Sequence, residues 1–297
     1  MSDNQERPIL NLTGINKIFT LGPKGTFSNQ AASLVGGEEV KDIRYTVTIT
    51  QIPNEVVANP DILGIMPIEN SISGIVGQAQ ESLMDLDIII INELLLEIRF
   101  SLISNVPLSE VKQFFSHTEA FNQTMIFTSK NMPEANVVFS NSNVHSSELF
   151  LERPGEPVAA IIPKPLAEKR EEIKSKLKAE NIQDYQQNIT RFVVLKKKPV
   201  NYIPDFSNTK TSLCVEFKED RHSLLFELLR EFHVFGINLC RLESRPIKDT
   251  PWRYRFFIDL MNNHRVETCF QELKKQDIGF KIFGSYNTLA SPKPRSI

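Results

Sequence analysis

Short apolar runs that end in glycine- or serine-marked turns, each followed by a helical pattern, recur through the N-terminal two thirds of the chain. "KIFTLG" is the first such strand, and Ser28 is placed to cap the helix after it. "DILGIMPIEN" repeats the arrangement, with a strand over residues 62–66 and a polar turn at Glu69, Asn70 and Ser71. This rhythm predicts α/β units around a largely parallel sheet. The charged run "LAEKREEIKSKLKAE" is typical of a solvated helix.

The pattern changes after "TRFVVLKKKP", where Pro199 and Pro204 lie in a stretch typical of a linker, residues 199–209. Beyond it, residues 210–288 carry strand and helix patterns in the order β-α-β-β-α-β. That order predicts a ferredoxin-like module. The chain is therefore expected to hold one unit over residues 17–198 and a second, smaller unit.

Composition narrows the classes of function. The chain has 297 residues, 41% of them hydrophobic, and a formal net charge of −2. This balance is typical of a globular protein and disfavours a generally basic nucleic-acid surface. "MSDNQERPIL" lacks the basic and apolar segments of a signal peptide, and the apolar runs are too short to span a bilayer. We expect a cytoplasmic protein that binds neither nucleic acid nor membrane.

The three cysteines, Cys214, Cys240 and Cys269, show no paired CxxC spacing. We therefore expect reduced, buried thiols rather than a zinc site or a disulfide framework. The histidines show no HExxH spacing. His117 and Glu119 could offer two metal ligands, but an ordinary hydrogen-bonding histidine is the favoured interpretation. No Gly-x-Ser-x-Gly elbow and no dinucleotide fingerprint occurs.

Two motifs place polar groups where predicted strands end. "GPKGTFS", residues 22–28, could turn backbone N–H groups and a helix N-terminus toward an anion, or could be only a structural turn. "PIENSISG", residues 67–74, presents Asn70 and Ser71, which an N-cap and a turn would also explain. Ligands of open α/β sheets bind at this edge. Amides, hydroxyls and an arginine suit an anionic substrate whose own electronics drive the reaction.

Five motifs in order, "GPKGTFS", "PIENSISG", "SHTEAFNQ", "NITRF" and "ESRP", resemble the prephenate dehydratase family with a C-terminal ACT regulatory domain. The resemblance covers about residues 17–286. It implies a two-lobed α/β catalytic domain similar to type 2 periplasmic binding proteins, with a first lobe at about 17–95 and 186–198 and a second at about 96–185. It also implies a ferredoxin-like ACT domain at 210–288.

The resemblance implies a carbon–oxygen lyase that converts prephenate to phenylpyruvate, water and CO₂ in L-phenylalanine biosynthesis, without a cofactor or metal. It makes Thr190 the residue that hydrogen-bonds or protonates the leaving hydroxyl, and gives Arg191 the role of a positive charge close by. Phe192 would pack the wall of the site. The implied catalytic residues are Thr190, Asn70 and Gln123, and the implied substrate-binding residues are Thr26, Phe27, Ser71, Arg191 and Phe192.

The same resemblance implies L-phenylalanine as an effector bound between the subunits of a homodimer or homotetramer. The implied effector-binding residues are Leu224, Leu225, Asn238, Glu243, Ser244 and Arg245. The family usually has small residues before the first ACT helix, where this chain has Ser223, Leu224 and Leu225. Bulkier side chains narrow that site.

Glu119 stands where the family usually carries glutamine. A carboxylate facing the pocket would repel a dianionic substrate unless it were protonated or paired. Other interpretations therefore stay open: an arogenate dehydratase, and a catalytically impaired paralogue that senses phenylalanine. A prephenate decarboxylase is a further relative, but Thr190 favours dehydration.

Overall fold

The computed structural model describes residues 10–217, 222–248 and 250–289. We call residues 10–97 and 189–197 the first lobe, residues 100–180 the second lobe, and residues 210–289 the C-terminal domain. The chain passes from the first lobe to the second and returns. The predicted two-lobed α/β architecture is confirmed.

The first lobe holds a mixed sheet rather than the largely parallel sheet that the sequence predicts. Its elements are β1 (Lys17–Leu21), α1 (Phe27–Gly36), β2 (Ile43–Thr46), α2 (Gln51–Ala58), β3 (Ile62–Asn70), β4 (Gly74–Ile75), α3 (Gly77–Glu81) and β5 (Ile88–Glu97). Strand β1 pairs in parallel with both β2 and β3. The N-cap of α1 is Thr26, so the predicted cap, Ser28, lies inside the helix. Strand β3 extends to Asn70, beyond the predicted end at residue 66, because a later strand pairs with it there.

The second lobe forms a five-stranded sheet of its own. Its elements are β6 (Phe100–Ser104), a 3₁₀ turn (Leu108–Glu110), β7 (Gln113–Ser116), α4 (Thr118–Asn122), α5 (Met125–Asn131), β8 (Asn136–Phe139), α6 (Asn143–Leu151), β9 (Val158–Pro163), α7 (Lys164–Lys169), α8 (Glu171–Lys174) and β10 (Leu177–Glu180). The predicted single helix over residues 166–180 is wrong. The backbone is extended at Arg170, and β10 pairs with β6 as an edge strand.

Strand β11 (Ile189–Lys197) returns the chain to the first lobe, where it lies antiparallel between β3 and β5. Residues 192–195 of this strand are almost completely buried. Because both faces of the strand are covered, its apolar run is continuous rather than alternating. The motif "NITRF" is therefore held at the centre of a sheet.

The C-terminal domain has the predicted order of elements. They are β12 (Lys210–Glu216), α9 (Leu224–Val234), β13 (Asn238–Pro246), β14 (Tyr254–Met261), α10 (Val266–Lys275) and β15 (Gly279–Leu289). The strand order is β13-β14-β12-β15, and β15 then pairs in parallel with β5 of the first lobe. One ten-stranded sheet thus runs through both units.

One face of the C-terminal sheet packs on the first lobe. Cys214, Phe257, Phe283 and Tyr286 belong to the same buried cluster as Ile90. The contact is closest at Gly284, where an added Cβ would lie 2.0 Å from the carbonyl oxygen of Ile90. Only a residue without a side chain allows these two backbones to approach so closely.

We expect the substitution Gly284→Ala to separate the two units. The clash is with backbone, so the effect on unfolding free energy should reach at least the roughly 1–3 kcal/mol typical of overpacked cores. Thermal unfolding and limited proteolysis of the linker measure it, with the exposed Val47 changed to alanine as the control. An unchanged unfolding midpoint would contradict the close contact.

The cysteines are all free, and Cys214 and Cys269 are buried as expected. Cys240 is exposed, which corrects the expectation of three buried thiols. Burial raises the pKa of Cys214 and Cys269 to about 12. Over the described ranges, no helix combines the length and apolar character that a membrane span requires.

Candidate active site

The predicted residues Asn70 and Thr190 lie opposite each other on neighbouring strands. Asn70 ends β3, Thr190 is the second residue of β11, and the register pairs them directly. The Asn70 side-chain nitrogen Nδ2 lies 2.9 Å from Thr190 Oγ1. Both side chains are partly buried where the first lobe meets the second, and we call this space the cleft.

The turn after β3 fixes the orientation of the Asn70 amide. Its Oδ1 accepts hydrogen bonds from the backbone N–H groups of Ile72 at 2.8 Å and Ser73 at 2.9 Å. Nδ2 must therefore face the other way, toward Thr190 and Asn188 Oδ1. Because Thr190 Oγ1 accepts from Asn70, its own hydroxyl hydrogen is left for an acceptor in the cleft.

From Asn70 a series of hydrogen bonds continues into the second lobe, and the donor of each bond follows from the bond before it. Asn188 uses its oxygen for Asn70, so its nitrogen donates to Gln123 Oε1 at 2.6 Å. Gln123 Nε2 then donates to Ser73 Oγ at 2.9 Å. Ser73 in turn donates to Glu119 Oε2 at 2.8 Å. This series of hydrogen bonds ends on the Glu119 carboxylate, which can only accept. Because Ser73 belongs to the first lobe and Glu119 to the second, their hydrogen bond joins the two lobes across the cleft.

The hydroxyls of Ser71 and Thr26 are committed to the backbone. Ser71 Oγ donates to the Gln187 carbonyl and accepts from the Ile189 N–H, both at 2.9 Å. Thr26 Oγ1 donates to the Pro23 carbonyl at 2.9 Å and caps α1. In this structure Ser71 holds the start of β11, and Thr26 shapes the turn before α1. The expected contact of these two residues with substrate stays a prediction.

The two predicted aromatic residues differ in environment. Phe27 of the first lobe meets Phe100 of the second edge to face, with ring centroids 5.4 Å apart. Phe192 is 1% exposed and lies in the hydrophobic core, so it does not line the cleft as expected. Its contribution is to anchor β11.

Arg191 points away from the cleft. Successive residues of a strand face opposite sides of the sheet, so Thr190 and Arg191 cannot share one face. The guanidinium is buried, with Nε 2.6 Å from Glu93 Oε2 and Nη1 2.5 Å from Asp259 Oδ2. The expectation that Arg191 supplies charge beside the substrate is corrected. Its charge is neutralised on the side facing the C-terminal domain.

The ionisation of this buried group follows from its partners. Burial opposes the charged form of Arg191, but Tyr286, Asp259 and Glu93 outweigh it and raise its pKa. Burial likewise opposes the charge of Asp259, but Arg191 and Arg241 lower its pKa overall. All of these side chains are therefore held in their usual charged or neutral forms at neutral pH. On the cleft side, burial lowers the pKa of His117, and Glu119 partly offsets this effect.

The predicted effector residues lie on strand β13 and at the start of helix α9. Glu243 pairs with Phe257, which packs on the first lobe, and its carboxylate contacts Arg245 at 2.9 Å. The Arg245 guanidinium lies against Gly77 of the first lobe. The remaining ones, Leu224, Leu225, Asn238 and Ser244, are exposed or partly buried, and Leu225 packs on the core under the helices.

Two members of the cleft network were not singled out from the sequence. Asn188 lies two residues before Thr190, and strand alternation places them on the same face. Ser73 lies within "PIENSISG", but only the folded turn shows that it faces Gln123. Within the described ranges, no three histidine, cysteine or acidic residues are grouped to hold a metal ion.

The chain is similar to known proteins over most of its length. The family profile described as prephenate dehydratase matches residues 18–200. A prephenate dehydratase of Methanocaldococcus jannaschii is 34% identical over 276 residues, which is 91% of this chain and 97% of that protein. Of the solved structures, the prephenate dehydratase of Staphylococcus aureus has a TM-score of 0.77 and 27% identity, covering 92% of this chain and 100% of that one.

A second solved structure adds a ligand. The prephenate dehydratase of Arthrobacter aurescens, solved in complex with L-phenylalanine, has a TM-score of 0.78 and 28% identity, covering 92% of this chain and 90% of that one. The sequence match spans the strands that carry Asn70 and Thr190. The chain therefore belongs to the prephenate dehydratase family.

Proposed function

We propose that the chain converts prephenate to phenylpyruvate, carbon dioxide and water. One observation carries the proposal beyond family membership: the Asn70 amide holds Thr190 as an acceptor, so that the threonine hydroxyl is left to donate. A hydroxyl donor is what a departing hydroxyl group needs.

The reaction balances without an oxidant or a reductant. The bond from the ring to its carboxylate breaks, CO₂ departs, and the electron pair enters the ring. The carbon–oxygen bond breaks on the opposite side of the ring, and the hydroxyl leaves with its electrons and takes up a proton to form water. Formation of an aromatic ring supplies the driving force, so the protein has only to bind, orient and donate.

The cleft residues divide these tasks. Thr190 donates a hydrogen bond to the leaving hydroxyl and relays a proton that comes ultimately from solvent. Asn70 and Gln123 orient the substrate and the donor. The first-turn N–H groups of α1, after Thr26, hold a carboxylate of the substrate. Phe27, through its contact with Phe100, closes the two lobes around the ring of the substrate.

The wider assignments belong to the same proposal. The enzyme is a carbon–oxygen lyase of L-phenylalanine biosynthesis that acts in the cytoplasm as a homodimer or homotetramer. The catalytic domain spans residues 17–198, the linker 199–209 and an ACT regulatory domain 210–288. Support for the regulatory domain comes from its β-α-β-β-α-β order and from a relative solved with L-phenylalanine.

The direct test supplies prephenate to the purified full chain and follows phenylpyruvate by its absorbance in alkali. Product formation that scales with protein concentration is expected. A parallel assay with arogenate, whose product is phenylalanine, distinguishes the arogenate dehydratase interpretation. Turnover of neither substrate would overturn the enzymatic proposal and favour a binding protein.

Phenylalanine is the proposed effector, held near Glu243, Ser244 and Arg245 at a subunit contact. Calorimetry should detect its binding, and the dehydratase rate should fall as it saturates, because an effector that prefers a less active state shifts the population toward it. Absence of both binding and inhibition would remove the regulatory part of the proposal while leaving the catalytic part intact.

We expect Glu119→Gln to lower the KM for prephenate by about 3- to 10-fold with little change in kcat. An amide oxygen can still accept from Ser73, so the network survives. One negative charge is removed from the route of a dianion, and a charge interaction of about 1 kcal/mol corresponds to roughly fivefold in binding.

The control for this variant is Glu134→Gln, an exposed position in the same lobe. Its KM should stay that of the wild type. The difference between Glu119→Gln and wild type should shrink as salt is raised, because exposed charges are screened. An unchanged KM at low salt would contradict a cleft-facing carboxylate at Glu119.

A further inference from the structure

The two strands that carry the cleft residues present a second set of side chains on their other face. Thr190 pairs with Asn70, and the next pair in register is Arg191 with Glu69. The register shifts immediately after Arg191, so the strand pair is irregular beside Thr190. Such bulges re-aim side chains near active sites. The contacts that hold the Arg191 side chain therefore also determine the position of Thr190, its neighbour on β11.

Arg191 is held by a closed ring of hydrogen bonds. Nη2 donates to the Tyr286 hydroxyl at 2.7 Å, and Nη1 donates to Asp259 Oδ2 at 2.5 Å. Tyr286 contacts Ser212, and Ser212 donates to Asp259 Oδ1. We call Arg191, Tyr286, Ser212 and Asp259 the arginine ring.

The direction of every bond in the arginine ring is determined by its two ends. Arginine has no acceptor and an ionised aspartate has no donor. The two hydroxyls must therefore point from Arg191 toward Asp259, through Tyr286 and then Ser212. Burial raises the pKa of Tyr286, which keeps the hydroxyl hydrogen that this arrangement needs.

Three of the four members of the arginine ring belong to the C-terminal domain, and all four are buried. Glu93 contacts Arg191 and also Lys210 Nζ at 2.6 Å, while Asp259 also contacts Arg241 Nη1 at 3.3 Å. The charges around the ring balance because Glu69 lies 3.5 Å from Arg191 Nη1. The guanidinium is planar and presents its donors in a fixed geometry. Contacts at several of its edges leave the Arg191 side chain little freedom.

We propose that Asp259 is a positioning residue for Thr190, through which the C-terminal domain holds the cleft strand by the Arg191 guanidinium. The inference rests on the proposed function. Consecutive Cα atoms are about 3.8 Å apart, so a shift of Arg191 moves Thr190 directly. A displacement of about 1 Å at a reacting group costs roughly 100-fold in rate.

The same contact gives the C-terminal domain a route to the cleft. Asp259 lies on β14, and Arg241 of β13 pairs with it in register. The proposed effector residues Glu243 and Arg245 continue along β13. A ligand that displaces β13 would move Arg241 relative to Asp259 and would therefore disturb the carboxylate of the arginine ring.

The test compares Asp259→Asn with Lys281→Met in the full chain. Lys281 also joins the C-terminal domain to the first lobe, by hydrogen bonds to the carbonyls of Leu83, Met84 and Leu86, but it does not contact the arginine ring. Both variants should lower the thermal unfolding midpoint. Only Asp259→Asn should lower kcat, by about 10- to 100-fold with KM within about threefold, as expected for misplacement.

A double variant separates positioning from general damage. In the Thr190→Ala background, Asp259→Asn should lower the rate no further, because its effect passes through Thr190. Multiplication of the two losses would overturn the proposal, as would an equal kcat for Asp259→Asn and Lys281→Met. If Asp259→Asn fails to fold, Tyr286→Phe opens the ring by one hydroxyl and should lower kcat by a smaller factor.

A readout without turnover distinguishes failure of this inference from failure of the proposed function. The methyl NMR signal of Thr190, identified by its loss in Thr190→Ala, should move in Asp259→Asn and Tyr286→Phe and stay in place in Lys281→Met. A Thr190 signal that is the same in all three would overturn the positioning role, even if the wild type proved unable to turn over prephenate.

Discussion

Replacing Thr190 with alanine is expected to lower the kcat of prephenate dehydration by roughly 10²- to 10⁴-fold, the usual range for a positioned proton donor. The methyl side chain of alanine cannot donate to the leaving hydroxyl. KM should change little, because the groups that hold the substrate anions remain. Initial rates of phenylpyruvate formation over a range of prephenate concentrations separate the two constants.

Thr190→Ser is the matched control, because serine keeps the hydroxyl and the acceptor for Asn70. It should retain most of the activity, and its loss relative to wild type should reflect only the added rotational freedom of an unbranched side chain. Undiminished turnover by Thr190→Ala would remove Thr190 from the chemistry. Equal losses in both variants would mean that the methyl group, rather than the hydroxyl, matters.

The order of strands and helices was largely predictable because local patterns determine it. The β-α-β-β-α-β order beyond the linker is found as predicted. The exception is the charged run over residues 166–180, where pairing of β10 with β6 overrides helical propensity. A sequence cannot show that an edge position is free to accept a strand, so this difference is a tertiary effect.

The five ordered motifs predicted which residues belong to the site, but they did not predict which way each side chain faces. The sequence singled out Asn70, Gln123 and Thr190, and the structure joins them through Asn188. Alternation along a strand already requires Thr190 and Arg191 to face opposite ways. Which face is the cleft and which meets the C-terminal domain depends on how the sheets dock, and no local pattern carries that information.

The hydroxyls of Ser71 and Thr26 show the same limit. Polar residues at strand ends suit both a ligand and the backbone, and here the backbone carbonyls of Gln187 and Pro23 take the hydroxyl hydrogens. Short polar side chains in turns commonly form such bonds. The local sequence pattern cannot distinguish a backbone partner from a ligand.

Asn70→Asp is expected to lower kcat about as much as Thr190→Ala while keeping the fold. Aspartate has nearly the same shape, and one of its oxygens can still accept from the N–H groups of Ile72 and Ser73. Its second oxygen, however, accepts where the Asn70 nitrogen donated. The Thr190 hydroxyl would then turn its hydrogen toward residue 70, and the leaving hydroxyl would lose its donor.

The added negative charge also weakens binding of a dianion, so a matched charge is needed. Asn188→Asp places the same charge next to Asn70, and one oxygen of the new carboxylate can still accept from the Asn70 nitrogen. Its other oxygen replaces the nitrogen that donated to Gln123, and a rotated Gln123 amide can donate to it. This variant should raise KM yet retain kcat within about tenfold, well short of the loss for a missing donor. If Asn188→Asp loses as much kcat as Asn70→Asp, charge rather than hydrogen-bond direction explains both.

In the double variant with Thr190→Ala, Asn70→Asp should add no further loss of kcat, because a hydroxyl that is absent cannot be turned.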